Sequence, residues 1–255
     1  GKDLSLSVDL LEKELGEELP SMRNGIDCLF NDWKAGIPEN IKSGMAGQTI
    51  ETFYPVRQEI FYGGQSIDQA DIDEVTRVLR SQYLTQGNEV TRFENEVAEY
   101  VGANFGAAVS SGTAALHLAC LACGLTFGDE GVTSPITFLA SSNAIVYCGG
   151  VPRFADIDPH TYNMSPAELE KTITKNTRVV IPVHFTGQSC DMAKIQKVVE
   201  EKESFFGQKI FVIEDASHAL GSLYQGKRVG CCQYSDACVF SFHPVKHITT
   251  GEGGM

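Results

Sequence analysis

The spacing of hydrophobic residues predicts helices in the early part of the chain and alternating strands and helices after it. Ile67, Ile72, Val75 and Leu79 fall on one face of a helix. A second amphipathic helix is predicted over residues 90–100, where every third or fourth residue is apolar. From residue 107 onward, short apolar runs alternate with helical stretches, which is the order typical of an α/β protein.

The later elements follow from the same pattern. The runs at 179–183 and 210–213 are apolar on successive residues, which favours strands buried on both faces of a mainly parallel sheet. Strands are predicted at 107–110, near 132, at 152–157, 178–184 and 209–213, and a last strand ends at 240–242. Helices are predicted at 113–123, 139–148, from the Ser165-Pro166 start, and at 191–203.

Residues 1–60 differ in character from the rest of the chain. Acidic residues outnumber basic ones eleven to six there, and the pattern indicates short amphipathic helices, such as one over residues 6–19. This stretch contains no motif that we can assign. We therefore predict a mainly helical N-terminal extension over residues 1–60 and an α/β domain over 61–255.

Composition narrows the classes of function. The 255 residues are 42% hydrophobic, which is enough for a sizeable core. A formal charge of −13, from 33 acidic and 20 basic residues, argues against a nucleic-acid or anionic-membrane partner. No apolar run is long enough to span a membrane, and the first residues of the sequence lack the basic-then-apolar pattern of a secretory signal.

The eight cysteines lie mostly in apolar runs and lack the paired spacing of metal ligands. Reduced thiols in a cytoplasmic protein without a metal site are the prediction. Cys120-Leu-Ala-Cys123 has the spacing of a redox pair, but its apolar surroundings favour two packed core thiols.

Three polar stretches follow predicted strands, where α/β proteins bind their ligands. In Ser110-Ser-Gly-Thr-Ala-Ala-Leu116 a strand turns into a helix whose N-terminus suits a phosphate, although its hydroxyls are also ordinary caps. In Glu214-Asp215-Ala-Ser-His218 a carboxylate at a strand tip would keep a ring nitrogen protonated or merely cap a turn. Lys246 follows Ser241 by five positions and would supply an amine, although a single lysine is also commonly a solvated surface charge.

Taken together, these stretches predict a pyridoxal phosphate site. A phosphate cradle, a carboxylate for the ring nitrogen and an amine for the aldehyde are the groups that this cofactor needs. A lysine reacts with the aldehyde to form a Schiff base, and the protonated ring then acts as an electron sink.

From residue 61 on, the chain resembles the DegT family of fold-type-I, pyridoxal-phosphate sugar aminotransferases. Six stretches carry the resemblance: YLTQGNEVTRFENEVAEYVGA, SSGTAALHLA, SPITFLASSNAIVYCGGVPRFADIDP, PVHFTGQ, EDASHALGS and SFHPVKHITTGEGG. The resemblance implies the large domain of that fold, with a mainly parallel mixed sheet between helices.

The resemblance also implies a role for each residue of the site. Lys246 corresponds to the Schiff-base lysine, which also shuttles the proton, and Asp215 to the partner of the ring nitrogen. Phe138 corresponds to the aromatic residue that stacks on the ring, and His218 to a position near the ring hydroxyl. The phosphate contacts correspond to Thr113, Ala114 and Ser241. The implied sugar contacts are Thr85, Gly87 and His184, although His184 is equally well interpreted as a structural histidine.

The Phe-His-Pro-Val-Lys-His stretch is most similar to family members that act in pseudaminic acid synthesis. They transfer an amino group to C4 of a UDP-linked 4-keto-6-deoxy-N-acetylhexosamine. The resemblance thus implies a UDP-sugar substrate, glutamate as amino donor, and a homodimer in which two subunits share each active site.

The resemblance leaves alternatives. Members of the family continue past the lysine into a smaller C-terminal domain, so we expect that domain to be missing and the 255-residue chain alone to have little activity. An inactive fragment, or a cofactor-binding or assembly protein, is therefore the first alternative. The second is a sugar dehydratase, in which a histidine replaces the lysine; here the spacing from Ser241 falls on Lys246 rather than His247.

Overall fold

The structure, a computed structural model, describes residues 65–85 and 87–255. The extension predicted for residues 1–60 and the domain boundary beside it lie outside the described residues. The helices are α1 Gln69–Leu79, α2 Asn88–Val101, α3 Gly112–Ala122, α4 Ala140–Tyr147, α5 Pro166–Thr172 and α6 Met192–Phe206. The strands are β1 Glu130–Thr133, β2 Val151–Phe154, β3 Thr177–Ile181, β4 Phe211–Asp215, β5 Leu223–Tyr224, β6 Lys227–Arg228 and β7 Ala237–Val239.

Five strands form a parallel sheet in the order β2-β1-β3-β4-β7. Beyond β7 the pairing becomes antiparallel, since Gly254 bridges both Val109 and Ser241. This confirms the prediction of a mainly parallel, mixed sheet. Strands β5 and β6 form a separate antiparallel pair.

The sheet lies between two layers of helices, and alternate residues of β3 show this directly. Val179 and Ile181 pack with residues of α3 and α4, whereas Val180 packs with residues of α5 and α6. Because successive side chains of a strand point to opposite faces, a strand covered on both sides is apolar throughout. The continuous apolar runs in the sequence have this cause.

Several predicted boundaries need correction. The strand predicted at 107–110 is reduced to the single bridge at Val109, and the strand predicted to end at 240–242 ends at Val239. The strand predicted at 209–213 lies at Phe211–Asp215. Backbone pairing continues through Glu214 and Asp215 because ladder hydrogen bonds do not depend on the polarity of the side chain.

Helices α3 and α4 begin and end within one residue of the predicted limits. In the described part of the chain, no helix combines the length and the apolar character needed to cross a membrane.

Candidate active site

A cavity of about 410 Å³ lies at the carboxyl ends of β3, β4 and β7. Its walls come from the start of α3, the turn before α4, the ends of β3 and β4, and the loop that carries Lys246. Parallel strands place their carboxyl ends on one edge of the sheet, so residues far apart in sequence meet there. Seven of the residues predicted for the site line this cavity: Thr113, Phe138, His184, Asp215, His218, Ser241 and Lys246.

The N-terminus of α3 forms one end of the cavity. Ser111 caps the helix, and its hydroxyl accepts a hydrogen bond from the Ala114 N–H at 3.1 Å. A Cβ on Gly112 would lie 2.9 Å from Cβ of Ser241, so the missing side chain lets Ser241 approach the helix end. Free N–H groups and a positive dipole end make such a terminus suited to a phosphate.

The Ala114 N–H takes part in the helix cap, and its predicted contact with the phosphate stays a prediction. Because the Ala114 N–H already donates to Ser111, the N–H groups of Gly112 and Thr113 at the start of the helix are better placed for an anion. The hydroxyls of Thr113 and Ser241 line the same cavity.

The carboxylate of Asp215 is buried at the tip of β4 and lies in a network of hydroxyl groups. Oδ1 accepts hydrogen bonds from the N–H of Ser217 at 3.2 Å and from its hydroxyl at 2.7 Å. Oδ2 accepts a hydrogen bond from the hydroxyl of Ser141 at 2.7 Å. These bonds fix the orientation of the carboxylate at the cavity wall, where it can accept a further hydrogen bond from a ring N–H.

Lys246 extends into the cavity from the loop after β7. Its Nζ lies 2.6 Å from Nε2 of His218. Burial lowers the pKa of Lys246, although the nearby charge of Asp215 acts in the opposite direction. Burial, and then the positive charge of Lys246, also lower the pKa of His218. A lowered pKa increases the fraction of neutral amine, which is the reactive form of a lysine.

His184 is buried, and both of its ring nitrogens are hydrogen-bonded. Nδ1 accepts a hydrogen bond from the N–H of Cys190 at 3.0 Å, so Nε2 carries the proton and donates it to Oε2 of Glu214 at 2.7 Å. Oε1 of Glu214 accepts a hydrogen bond from Ser235. This geometry supports the structural alternative for His184, although the ring also borders the cavity.

Of the remaining predicted site residues, Phe138 borders the cavity, whereas Thr85 and Gly87 do not. The Phe138 ring is 77% exposed and borders the cavity, where it can stack on a planar ligand. Thr85 is exposed and Gly87 caps α2, and the structure brings neither to the cavity that contains Lys246. Their sugar contacts stay predictions.

Three residues of the site were missed by the sequence analysis: Ser141, Ser217 and Thr137. Ser217 follows Asp215 by two positions, a spacing that permits a local hydrogen bond to the carboxylate. Ser141 lies in the first turn of α4, and no local pattern connects it with a residue 74 positions away.

The described residues contain no group of three or more His, Cys, Asp or Glu side chains that would hold a metal ion. The ionisable groups that line the cavity are one amine, two carboxylates and three imidazoles, and they lie beside the N-terminus of α3: Lys246, Asp215, Glu252, His184, His218 and His243.

Comparison with known proteins identifies the family. The sequence profile of the DegT/DnrJ/EryC1/StrS aminotransferase family matches residues 65–255. The chain belongs to this family. The match includes every residue predicted for the site and excludes the N-terminal stretch.

Two curated relatives and one solved structure illustrate the similarity. The spore coat polysaccharide biosynthesis protein SpsC of Bacillus subtilis is 46% identical over 74% of this chain and 46% of its own length. The UDP-4-amino-4,6-dideoxy-N-acetyl-beta-L-altrosamine transaminase of Campylobacter jejuni is 40% identical over 76% of this chain and 50% of its own. The solved structure is the PLP form of Spr1654 of Streptococcus pneumoniae, described as a sugar aminotransferase. It superposes on this chain with a TM-score of 0.73 at 35% sequence identity, and the match covers 76% of this chain and 52% of the Spr1654 chain.

The chain thus spans about half the length of the relatives that it matches. Within that half, the fold is that of the fold-type-I aminotransferases, and pyridoxal phosphate is the cofactor of the family. The groups around the cavity fit this cofactor, since a helix N-terminus, a buried carboxylate and a lysine of lowered pKa surround one space.

Proposed function

We propose that this protein is a pyridoxal-phosphate aminotransferase that transfers an amino group from glutamate to C4 of a UDP-linked 4-keto-6-deoxy-N-acetylhexosamine. The observation that carries the proposal is the position of Lys246, whose amine shares one cavity with Asp215 and the N-terminus of α3. Similarity to a transaminase named for a UDP-linked amino sugar supports the substrate class. Pseudaminic acid or a related surface sugar is the proposed end product, and a homodimer is the proposed assembly.

Each residue has a task that its geometry supports. The N–H groups at the start of α3 and the hydroxyl of Ser241 bind the phosphate, and Phe138 covers one face of the ring. When bound, the cofactor supplies an aldehyde for amines and a ring that withdraws electrons. Asp215 keeps the ring nitrogen protonated, and Lys246 moves a proton at the reacting carbon.

A dehydratase, the second candidate, would need a histidine in place of the lysine. His247 is exposed and does not border the cavity, whereas Lys246 does. This observation favours transamination over dehydration.

The covalent attachment is tested first. The purified protein is incubated with pyridoxal phosphate and reduced with borohydride, and the modified peptide is identified by mass spectrometry. We expect attachment at Lys246 and none in Lys246→Ala. Attachment elsewhere in the wild-type chain, or none at any pH, would overturn the assignment.

The substrate is tested with a panel of UDP- and GDP-linked 4-keto sugars and glutamate. We expect amination at C4 of the UDP-linked N-acetylhexosamine, detected by mass spectrometry of the product. Preference for a GDP-linked sugar would disprove the proposed substrate but leave the aminotransferase intact. Loss of water from the sugar without incorporation of nitrogen would establish the dehydratase.

A further inference from the structure

Ser141 is buried in the first turn of α4, and it contacts the carboxylate of Asp215. Its Oγ lies 2.7 Å from Oδ2 of Asp215, 2.8 Å from Oγ1 of Thr137 and 3.4 Å from the carbonyl oxygen of Phe138. Three acceptors therefore surround a hydroxyl that has one proton to donate.

The direction of these hydrogen bonds follows from the charges. An ionised carboxylate can only accept, and a bond to a charged acceptor is stronger than one to a neutral acceptor. The proton of Ser141 therefore points to Asp215, and the hydroxyl of Thr137 donates to Ser141 in turn. Thr137 borders the cavity, so a chain of two hydrogen bonds runs from the cavity wall through Ser141 to Oδ2 of Asp215.

The hydrogen bonds to the Asp215 carboxylate leave one of its acceptor sites unused. A carboxylate has about four acceptor sites. In the described part of the chain Oδ1 accepts two hydrogen bonds from Ser217, and Oδ2 accepts one from Ser141. One acceptor site remains, and it belongs to Oδ2.

We propose that Ser141 is a positioning residue that holds the Asp215 carboxylate in one orientation, so that the free site on Oδ2 receives the N–H of the protonated cofactor ring. This inference rests on the proposed function, because it needs the ring nitrogen to meet Asp215. The competing explanation is that Ser141 only satisfies buried hydrogen-bonding groups and contributes to stability alone.

The experiment compares two ligands that differ at one atom. Binding of pyridoxal phosphate and of its 1-deaza analogue, in which carbon replaces the ring nitrogen, is measured by equilibrium dialysis on wild type and Ser141→Ala. The matched control is Ser142→Ala: this neighbouring serine is also buried in α4, but its hydroxyl donates to the carbonyl oxygen of Leu139 at 3.1 Å.

We expect Ser141→Ala to weaken binding of pyridoxal phosphate about 10-fold, the loss typical of one hydrogen bond to a charged group. Binding of the analogue should change less than about 2-fold, and Ser142→Ala should leave the ratio of the two affinities as in wild type. Equal weakening of both ligands, or of neither, would overturn the proposal.

Thr137→Val supplies a second test that does not depend on folding of Ser141→Ala. It removes the hydroxyl that donates to Ser141 while keeping the shape of the side chain, and we expect a smaller loss, about 3-fold, again confined to pyridoxal phosphate. A wild-type protein that binds both ligands equally well would show that Asp215 does not meet the ring nitrogen. If the wild type binds neither ligand, the proposed function itself fails.

Discussion

Nζ of Lys246 and Nε2 of His218 lie 2.6 Å apart, so a single proton lies between an amine and an imidazole at the centre of the cavity. When the ammonium of Lys246 donates, His218 is neutral and carries its own proton on Nδ1. The charge of Asp215 raises the pKa of both groups, against the lowering by burial, and His247, on the same loop as Lys246, lowers the pKa of His218.

The first prediction concerns the pH at which Lys246 becomes reactive. Because burial lowers its pKa from 10.5, the amine loses its proton at a lower pH than an exposed lysine does. We expect acetylation of the cofactor-free protein by trace acetic anhydride, followed by peptide mass spectrometry, to reach half of its maximum at a lower pH for Lys246 than for a lysine in an unstructured reference peptide. Equal midpoints would contradict the prediction.

The second prediction separates the two interpretations of His184. Replacing it in His184→Phe leaves Oε2 of Glu214 and the N–H of Cys190 without their partner inside the protein. We expect the free energy of unfolding to fall by about 3 kcal/mol, measured with urea. The matched control is His160→Phe at an exposed position, which should change stability by less than about 0.5 kcal/mol. A stable His184→Phe protein with a raised KM for the sugar would instead establish a substrate contact.

The third prediction concerns the phosphate end of the cavity. In Gly112→Ala the added Cβ would lie 2.9 Å from Cβ of Ser241, which forces the N-terminus of α3 and Ser241 apart. We expect affinity for pyridoxal phosphate to fall at least about 10-fold, with a smaller effect on pyridoxal, which lacks the phosphate.

The control for this prediction is Gly207→Ala. Gly207 ends α6 with a φ of 69°, and a Cβ there would meet no atom within 4 Å. This substitution should cost about 1 kcal/mol of stability through backbone strain and leave cofactor affinity unchanged. Equal losses of affinity in the two variants would show that the effect of Gly112→Ala is a general loss of stability.

The fourth prediction concerns the Cys120-x-x-Cys123 spacing. Both thiols are buried, and burial raises the pKa of Cys120 to about 12 and that of Cys123 to about 11. Thiolate therefore forms only at high pH, and we expect neither thiol to react with iodoacetamide at pH 7.5 in the folded protein. The partly exposed Cys231 is the control and should be labelled first. Rapid labelling of Cys120, or a disulfide between the two residues, would restore the redox interpretation.

The sequence by itself determined the class of the fold and the main parts of the site. Apolar runs of four or five residues predicted the central strands because those strands are covered on both faces. The polar residues after each run predicted Asp215 and Lys246 because parallel strands end at one edge of the sheet. These are consequences of local pattern and chain order.

The tertiary structure alone decided which side chains meet. Ser141 contacts Asp215 across 74 positions of sequence, and His218 contacts Lys246 across 28. The two ring nitrogens of His184 are hydrogen-bonded because folding brings Glu214 and Cys190 to them. Hydrogen bonds have a range of about 3 Å, and local patterns do not specify which distant residues come that close.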